Sequence, residues 1–398
     1  MYTEPLRNAI NQFLRKPRTT RLRRIVFQLH VWLGVLVALY GLLMGLSGSL
    51  MTGYSAFRRH AFANRAVEPA ITADRAAEIA RQASEGGRLT GLTLPAGADR
   101  PYRAFIRRKA QTSTVEIDAQ TGAVSRSQTD FLHWVERFHS NFWLGRTGRL
   151  WVGIGGLVIL AMCLTGVIIW WPGLNSWKRG FAIHAGAGWK RLIWDLHSVV
   201  GIAAVLFIFL SALTGAYFTW PQVYRSAVSL LGRISPPSTP PSVQPAPRPA
   251  SLAQLIRQAE AALPGKHVFH LAFPDRPDRA LRLFLSGDLN PSPNGADSVW
   301  IDPYTAQILR IDRAADRPAG DRLLAAIAAI HFGDFGGRTS LLLWTLLGLS
   351  LPLLAVTGIL MWWNRWLRKR WIAVNDYQPA VSCQANGMSE ESPAAQRQ

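Results

Sequence analysis

IVFQLHVWLGVLVALYGLLMGLSGSLMTGY, residues 25–54, and LHSVVGIAAVLFIFLSALTGAYFTW, residues 196–220, decide how this chain folds. Neither contains Lys, Arg, Asp or Glu, and the same holds for residues 151–171 and 340–363. Each meets the requirement of about 20 apolar residues for a bilayer-spanning helix. Four spans are predicted. The net charge of +20 with 49% hydrophobic residues would suggest nucleic acid in a soluble protein, but collection of the apolar residues into uncharged blocks argues for membrane lipid and against nucleic acid. The basic stretch before the first span resembles the start of a signal peptide. The apolar run is too long for one and lacks a clear small-residue cleavage site.

The two quoted stretches also repeat one another. His30 is followed by Gly34 and Ser47-Gly48, and His197 by Gly201 and Thr214-Gly215, at the same offsets. His139 is followed by Thr165-Gly166 and Trp170-Trp171, and His331 by Thr357-Gly358 and Trp362-Trp363, again in step. The pattern is that of an internal tandem duplication.

Orientation follows from the short flanks. Arg7, Arg15, Lys16, Arg18, Arg21, Arg23 and Arg24 precede the first span; Lys178, Arg179, Lys190 and Arg191 lie between the second and third; Arg365, Arg368, Lys369 and Arg370 follow the fourth. Short basic flanks stay in the cytoplasm, so both termini are expected there. His30 and His197 then lie near the inner face, and His139 and His331 near the outer one. Polar side chains at spanning segments are costly, and four in two matched pairs point to function more than to helix anchoring. Two imidazoles from facing helices suit the two axial positions of a haem iron, giving two b-type haems held by His30 with His197 and His139 with His331. Without a C-x-x-C-H string the haems are expected to be non-covalent. Bis-histidine ligation leaves no open position for oxygen, so the expected role is electron transfer.

Other residues carry weaker signals. Gly34 and Gly201, one turn after their histidines, would give a macrocycle room. The four Ser/Thr-Gly pairs serve either the same clearance or helix packing. The Trp pairs fit an interfacial belt better than an electron relay. His133, six residues before His139, is a second-choice ligand or a surface residue. His267 and His270 in HVFHLAFP are expected on opposite faces of a strand, which disfavours a shared metal site. His60 and His184 have no repeat counterpart. Arg146, Arg149 and Arg338 would meet either haem propionates or lipid headgroups. Cys163 in a span and Cys383 in the tail are not expected to pair.

The long loops are also alike. TADRAAEIARQASEG and SLAQLIRQAEAALPG read as helices, RPYRAFIRR and RALRLFLSG as strands, and VEIDAQTGAV and VWIDPYTAQIL as strand and turn, matching Asp118 and Thr121 with Asp302 and Thr305. One helix on an antiparallel sheet is expected twice. PPSTPPSVQPAPRP, residues 236–249, reads as a stiff extended linker.

The DLHSVVG, AIHFGDFGG, TGILMWW and VEIDAQTG strings resemble the PepSY-associated transmembrane family, four-helix inner-membrane proteins with periplasmic PepSY domains, and the likeness covers nearly the whole chain. Its members include ferrisiderophore reductases of the FoxB type, which carry two b-type haems. The fold class implied is an integral membrane α-helical protein with two periplasmic α+β PepSY-like domains. The division expected is a cytoplasmic N-terminus (1–24), the first span (25–54), a first PepSY-like domain (55–138), the second span with its periplasmic lead-in (139–171), a cytoplasmic loop (172–195) and the third span (196–220). A linker and second domain (221–330), the fourth span with its lead-in (331–363) and a cytoplasmic tail (364–398) complete it.

The resemblance implies a multi-pass bacterial inner-membrane oxidoreductase that reduces a periplasmic ferric siderophore and releases Fe(II) for uptake. Some relatives carry a fused flavin or flavodoxin-like domain, for which this chain's cytoplasmic segments have no room. The donor is then a separate cytoplasmic reductase or membrane quinol. Two other readings stay open: a haem-free PepSY sensor or regulatory binding protein, and a transmembrane oxidoreductase for another periplasmic acceptor.

Overall fold

The computed structural model describes residues 14–15, 21–61, 69–95, 100–109, 111–126, 131–236, 239–287 and 296–367. Most of the N-terminal segment, most of the C-terminal tail with Cys383, and the His60 side chain lie outside the described residues. Four helices are long and apolar enough to cross a membrane. α1 runs Arg21–Ala61, and α2 is Ala73–Gln82. After strands β1 (Arg88–Thr93), β2 (Tyr102–Arg108), β3 (Gln111–Ile117) and β4 (Val124–Arg126) come α3 (Phe131–Asn141) and α4 (Gly145–Trp170). Two 3-10 turns, Leu174–Phe181 and Ala185–Ala187, lead to α5 (Trp189–Thr219) and α6 (Pro221–Leu231). The second half repeats the plan with α7 (Leu252–Ala262), β5 (His267–Ala272), β6 (Leu281–Ser286), β7 (Asp297–Ile301), β8 (Ile308–Asp312) and α8 (Ala319–Phe332). The last span is broken into α9 (Gly337–Gly348) and α10 (Ser350–Trp362), followed by a π turn, Trp363–Leu367.

The spans form a ring in which the first and third are each packed against the second and fourth. The break in the fourth span precedes Pro352, whose ring cannot supply the backbone N–H that a continuous helix needs. The first span accommodates the break: a Cβ on Gly45 would run into the Pro352 ring, and one on Gly348 into Ser49 Oγ. Between the two haem-ligand candidates of each half lies a small apolar cluster of Val37, Ile159, Cys163, Ala204 and Ile208.

The strands correct one expectation. Instead of two separate sheets there is one antiparallel sheet of eight, in the order β4-β3-β2-β1-β5-β6-β7-β8, joined where β1 pairs with β5. Alternation buries Leu92, Leu271, Leu283, Leu285, Val299 and Ile301 on one face, where Ala76, Ala77 and Ala80 of α2 and Leu255 and Ala259 of α7 cover them. The small side chains of α2 let that helix lie close. Both helices begin at a hydroxyl cap, Thr72 accepting from the Arg75 N–H and Ser251 from the Gln254 N–H. Asp74 of α2 also accepts from the Leu252 and Ala253 N–H groups at 2.6 and 3.1 Å, so one lobe caps the helix of the other.

The matched turns are as expected. Asp118 accepts from the Thr121 N–H at 2.7 Å and from its hydroxyl at 2.8 Å, and Asp302 from the Tyr304 N–H at 2.8 Å and the Thr305 N–H at 3.3 Å. These bonds hold the Asp118 carboxyl below its ordinary pKa.

His267 and His270 share a face, contrary to the simple alternation expected. A bulge between Val268 and His270 resets the register, pairing His267 with Ser286 and His270 with Phe284, and His267 Nδ1 lies 3.6 Å from Glu260 of α7. The His270 Nδ1 is 2.9 Å from Thr93 Oγ1, its ring lies between Phe105 and Phe284, and burial pushes its pKa down to about 4. The described part of the linker is not a free spacer. It lies along the second lobe, the Val243 N–H donating to Asp278 O and the Ala280 N–H to Pro241 O.

Candidate functional site

Four imidazoles lie inside the ring of spans, each held in the same way by the neighbouring span. His30 Nδ1 lies 2.9 Å from Thr165 Oγ1, His139 Nδ1 2.8 Å from Ser47 Oγ, His197 Nδ1 2.9 Å from Thr357 Oγ1 and His331 Nδ1 3.1 Å from Thr214 Oγ1. Each hydroxyl also donates its one proton to the carbonyl four residues earlier, at Ala161, Leu43, Leu353 and Leu210. A hydroxyl whose proton is already used can only accept, so the imidazole must donate from Nδ1. The neutral tautomer that follows leaves the lone pair on Nε2, the form of histidine that binds a metal. At His331 the nearby Ser211 carbonyl, 3.2 Å from Nδ1, requires the same tautomer.

The glycine beside each hydroxyl gives the neighbouring imidazole room. A Cβ on Gly48, Gly166, Gly215 or Gly358 would lie 3.2, 3.4, 3.1 or 3.3 Å from the Cε1 of His139, His30, His331 or His197 respectively. These glycines admit the imidazole. The hydroxyl contact escaped the sequence reading because Ser and Thr within an apolar helix ordinarily bond only to their own backbone. Its signal was present in the fixed one-residue spacing of hydroxyl and glycine in all four copies.

The expected pairs do come together, across the diagonals of the ring. The ring centres of His30 and His197 are 6.5 Å apart, as are those of His139 and His331. Two imidazoles on one metal, at about 2.0 Å per metal–nitrogen bond, have ring centres roughly 6 Å apart. Both pairs match that spacing. His30 and Ser47 are seventeen residues apart on one helix, or about 25 Å along its axis, so the pairs occupy opposite ends of the bundle.

Two of these histidines sit in the lead-ins before their spans. His139 and His331 are not on the spanning helices but on α3 and α8, which precede them and reach back into the bundle. His133 is exposed and 3.5 Å from Glu136, away from the His139 pair. Arg146, Arg149 and Arg338 are exposed at the start of the second and fourth spans.

Around His30 and His197 is a cavity of about 850 Å³, within the usual range for a small-molecule or cofactor pocket. Gly34, Gly201, Met162 and Leu354 line its walls. Its mouth is basic, with Arg23, Arg179, Lys190, Arg191 and Arg365, and Asp195 is the one acid among the described lining residues. Asp195 was not anticipated. It is 4% exposed and accepts from Arg191 Nε at 2.9 Å and from the His184 N–H at 2.9 Å, which also gives His184 a place. Its position two residues before His197, just outside the uncharged block, was the available signal.

Residues 27–365 match the model of the PepSY-associated TM region. The chain belongs to that family. Both histidine pairs and the sheet fall within the matched residues. The chain is also similar to an uncharacterized protein of Pseudomonas aeruginosa, 25% identical over 252 residues that cover 57% of this chain and 62% of that relative. The chain therefore spans less than two thirds of that relative's length.

Proposed function

We propose that the chain is a two-haem electron-transfer protein of the bacterial inner membrane that reduces a ferric siderophore in the periplasm, built by tandem duplication with both termini in the cytoplasm. The observation that carries the haem reading is the pair of imidazoles at each end of the bundle, Nδ1 anchored and ring centres 6.5 Å apart. Among the described residues no group of three or more His, Cys, Asp or Glu could hold a metal ion. Each pair supplies two ligands, as an iron needs when a porphyrin supplies the other four. Held by two imidazoles, such a group would supply single-electron exchange and no open position for a gas.

In this reading the residues divide the work. His30 and His197 hold the inner cofactor, and His139 and His331 the outer one. The Ser47, Thr165, Thr214 and Thr357 hydroxyls fix tautomer and ring orientation, which keeps Nε2 basic and limits rearrangement on electron transfer. The apolar cluster between the pairs excludes water from the path. The eight-stranded sheet would be the periplasmic part, with PepSY-like lobes. On its open face Arg282 stacks on Phe284 and Trp300, and Arg103 and Arg107 lie on the neighbouring lobe, so anionic or oxygen-rich chelates are attracted. Addition of one electron turns tightly held Fe(III) into more weakly held Fe(II) and releases it. The siderophore itself is supported by the family resemblance. A separate cytoplasmic reductase or membrane quinol supplies the electron.

Haem stoichiometry and the reduced-minus-oxidised spectrum of the detergent-solubilised chain test this proposal. Two low-spin b-type haems are expected per chain, one lost on His30→Ala or His197→Ala and the other on His139→Ala or His331→Ala. A colourless protein from haem-replete cells would favour the haem-free binding reading. Iron release from ferric chelates by the reduced protein then separates siderophore reduction from transfer to another acceptor.

A further inference from the structure

The twofold likeness of the two halves breaks at the mouth of the inner cavity, and the break concerns indole N–H groups. Trp170 and Trp362 are the matched residues, each four positions after the glycine that admits a histidine. The Trp170 indole donates to Gly180 O at 3.1 Å, because the 3-10 turn after the second span folds back beneath it. Trp362 has no such partner. Among the described residues, its Nε1 and that of Trp366 are buried without a hydrogen-bond acceptor, and both residues line the cavity. Gly358, Trp362 and Trp366 recur at every fourth position, and Gly358 faces His197. Residues four apart share a helix face, so the stripe runs from the histidine to the mouth.

An indole N–H can only donate, and a buried donor without an acceptor is rare in folded proteins. Two of them on one stripe, lining the same cavity as Arg179 and Arg365, suit an anionic acceptor. We propose that Trp362 and Trp366 form a carboxylate-binding rim that receives the propionates of the inner haem and turns that edge toward the fourth span. The inference rests on the two-haem reading. It also gives the haem one orientation: Trp170, the one indole of the second span among the described residues lining the cavity, already donates to Gly180. The same acceptor chemistry is offered by an anionic lipid headgroup, which the test separates.

The test is binding of protohaem and of its dimethyl ester, in which the carboxylates are blocked, to the chain carrying His139→Ala and His331→Ala. Absorbance titration in neutral detergent reads affinity without any activity. The ester should bind about tenfold or more weakly. Trp362→Phe with Trp366→Phe should weaken protohaem by a similar factor and leave the ester unaffected, while Trp170→Phe should not discriminate between them. Equal binding of both haems, or equal loss of both in the double Phe variant, would overturn the rim and leave a lipid headgroup as the acceptor. Should either altered chain fail to fold, the unaltered chain gives the same answer, since only half of its haem signal should show the ester penalty. An unaltered chain that binds neither haem would overturn the two-haem reading instead.

Discussion

At the scale of single residues, the hydroxyl and glycine beside it make two separable contributions to each histidine. Thr165→Val or Thr357→Val removes the acceptor while keeping the shape, and should weaken cofactor binding by about 10–100-fold with the ligand still in place. Haem retention during detergent washing checks this. Replacing the glycines with Ala should be graded by the space available, mildest at Gly166 and most disruptive at Gly215, where the new Cβ would come within 3.4 and 3.1 Å of the imidazole. The order of haem content across the four variants is the measurement. The histidines were legible in the sequence because an ionisable group in an apolar block stands out. The hydroxyls were not, because nothing local distinguishes a Thr that also meets a partner helix.

At the scale of elements, the spans and most of the strands could be read directly. Uncharged length and alternation are local properties, and a chain segment carries them wherever it packs. The join between β1 and β5 is not local: it depends on two edges meeting, and no residue of either strand announces its partner. Gly91 carries part of that join, since a Cβ there would lie 2.9 Å from His270 Cε1. Gly91→Ala should destabilise the sheet by about 1–3 kcal/mol, read by thermal unfolding, without changing the haem spectrum. The turn at Asp302 gives a similar separation. Asp302→Ala should cost about 1 kcal/mol of sheet stability and leave the spectrum intact. At Asp297, burial alone would raise the carboxyl's pKa, but the Lys266 ammonium and the Ala314 N–H outweigh it and hold it below its ordinary value. A depressed pKa stabilises the fold above the unfolded value of about 4, and the contribution is lost as pH falls through the folded one. The midpoint of sheet unfolding should therefore be steady from neutral pH to about 5 and fall below about 4. Asp297→Asn should flatten that fall.

At the scale of the whole molecule, the bundle and the sheet depend on different things. The candidate cofactor contacts belong to the spans and to α3 and α8, and no strand reaches the four histidines. Chain produced without haem should accordingly unfold its bundle at lower temperature than the loaded form while the sheet transition stays put, because a ligand stabilises only what binds it. Calorimetry of the two forms decides this. The hydroxyl contacts have a last consequence for assembly. They tie the first span to the second and to α3, and the third to the fourth and to α8, whereas the two histidine pairs link the first span to the third and α3 to α8. Drawn as a circuit, these polar contacts alone close two short segments, one in each half, and the histidine pairs lie where a shared ligand would join them. Each half is then a prefabricated clasp whose imidazoles already have the tautomer that leaves Nε2 open, and on the two-haem proposal the cofactor would add a metal-centred link between clasps that already pack against each other.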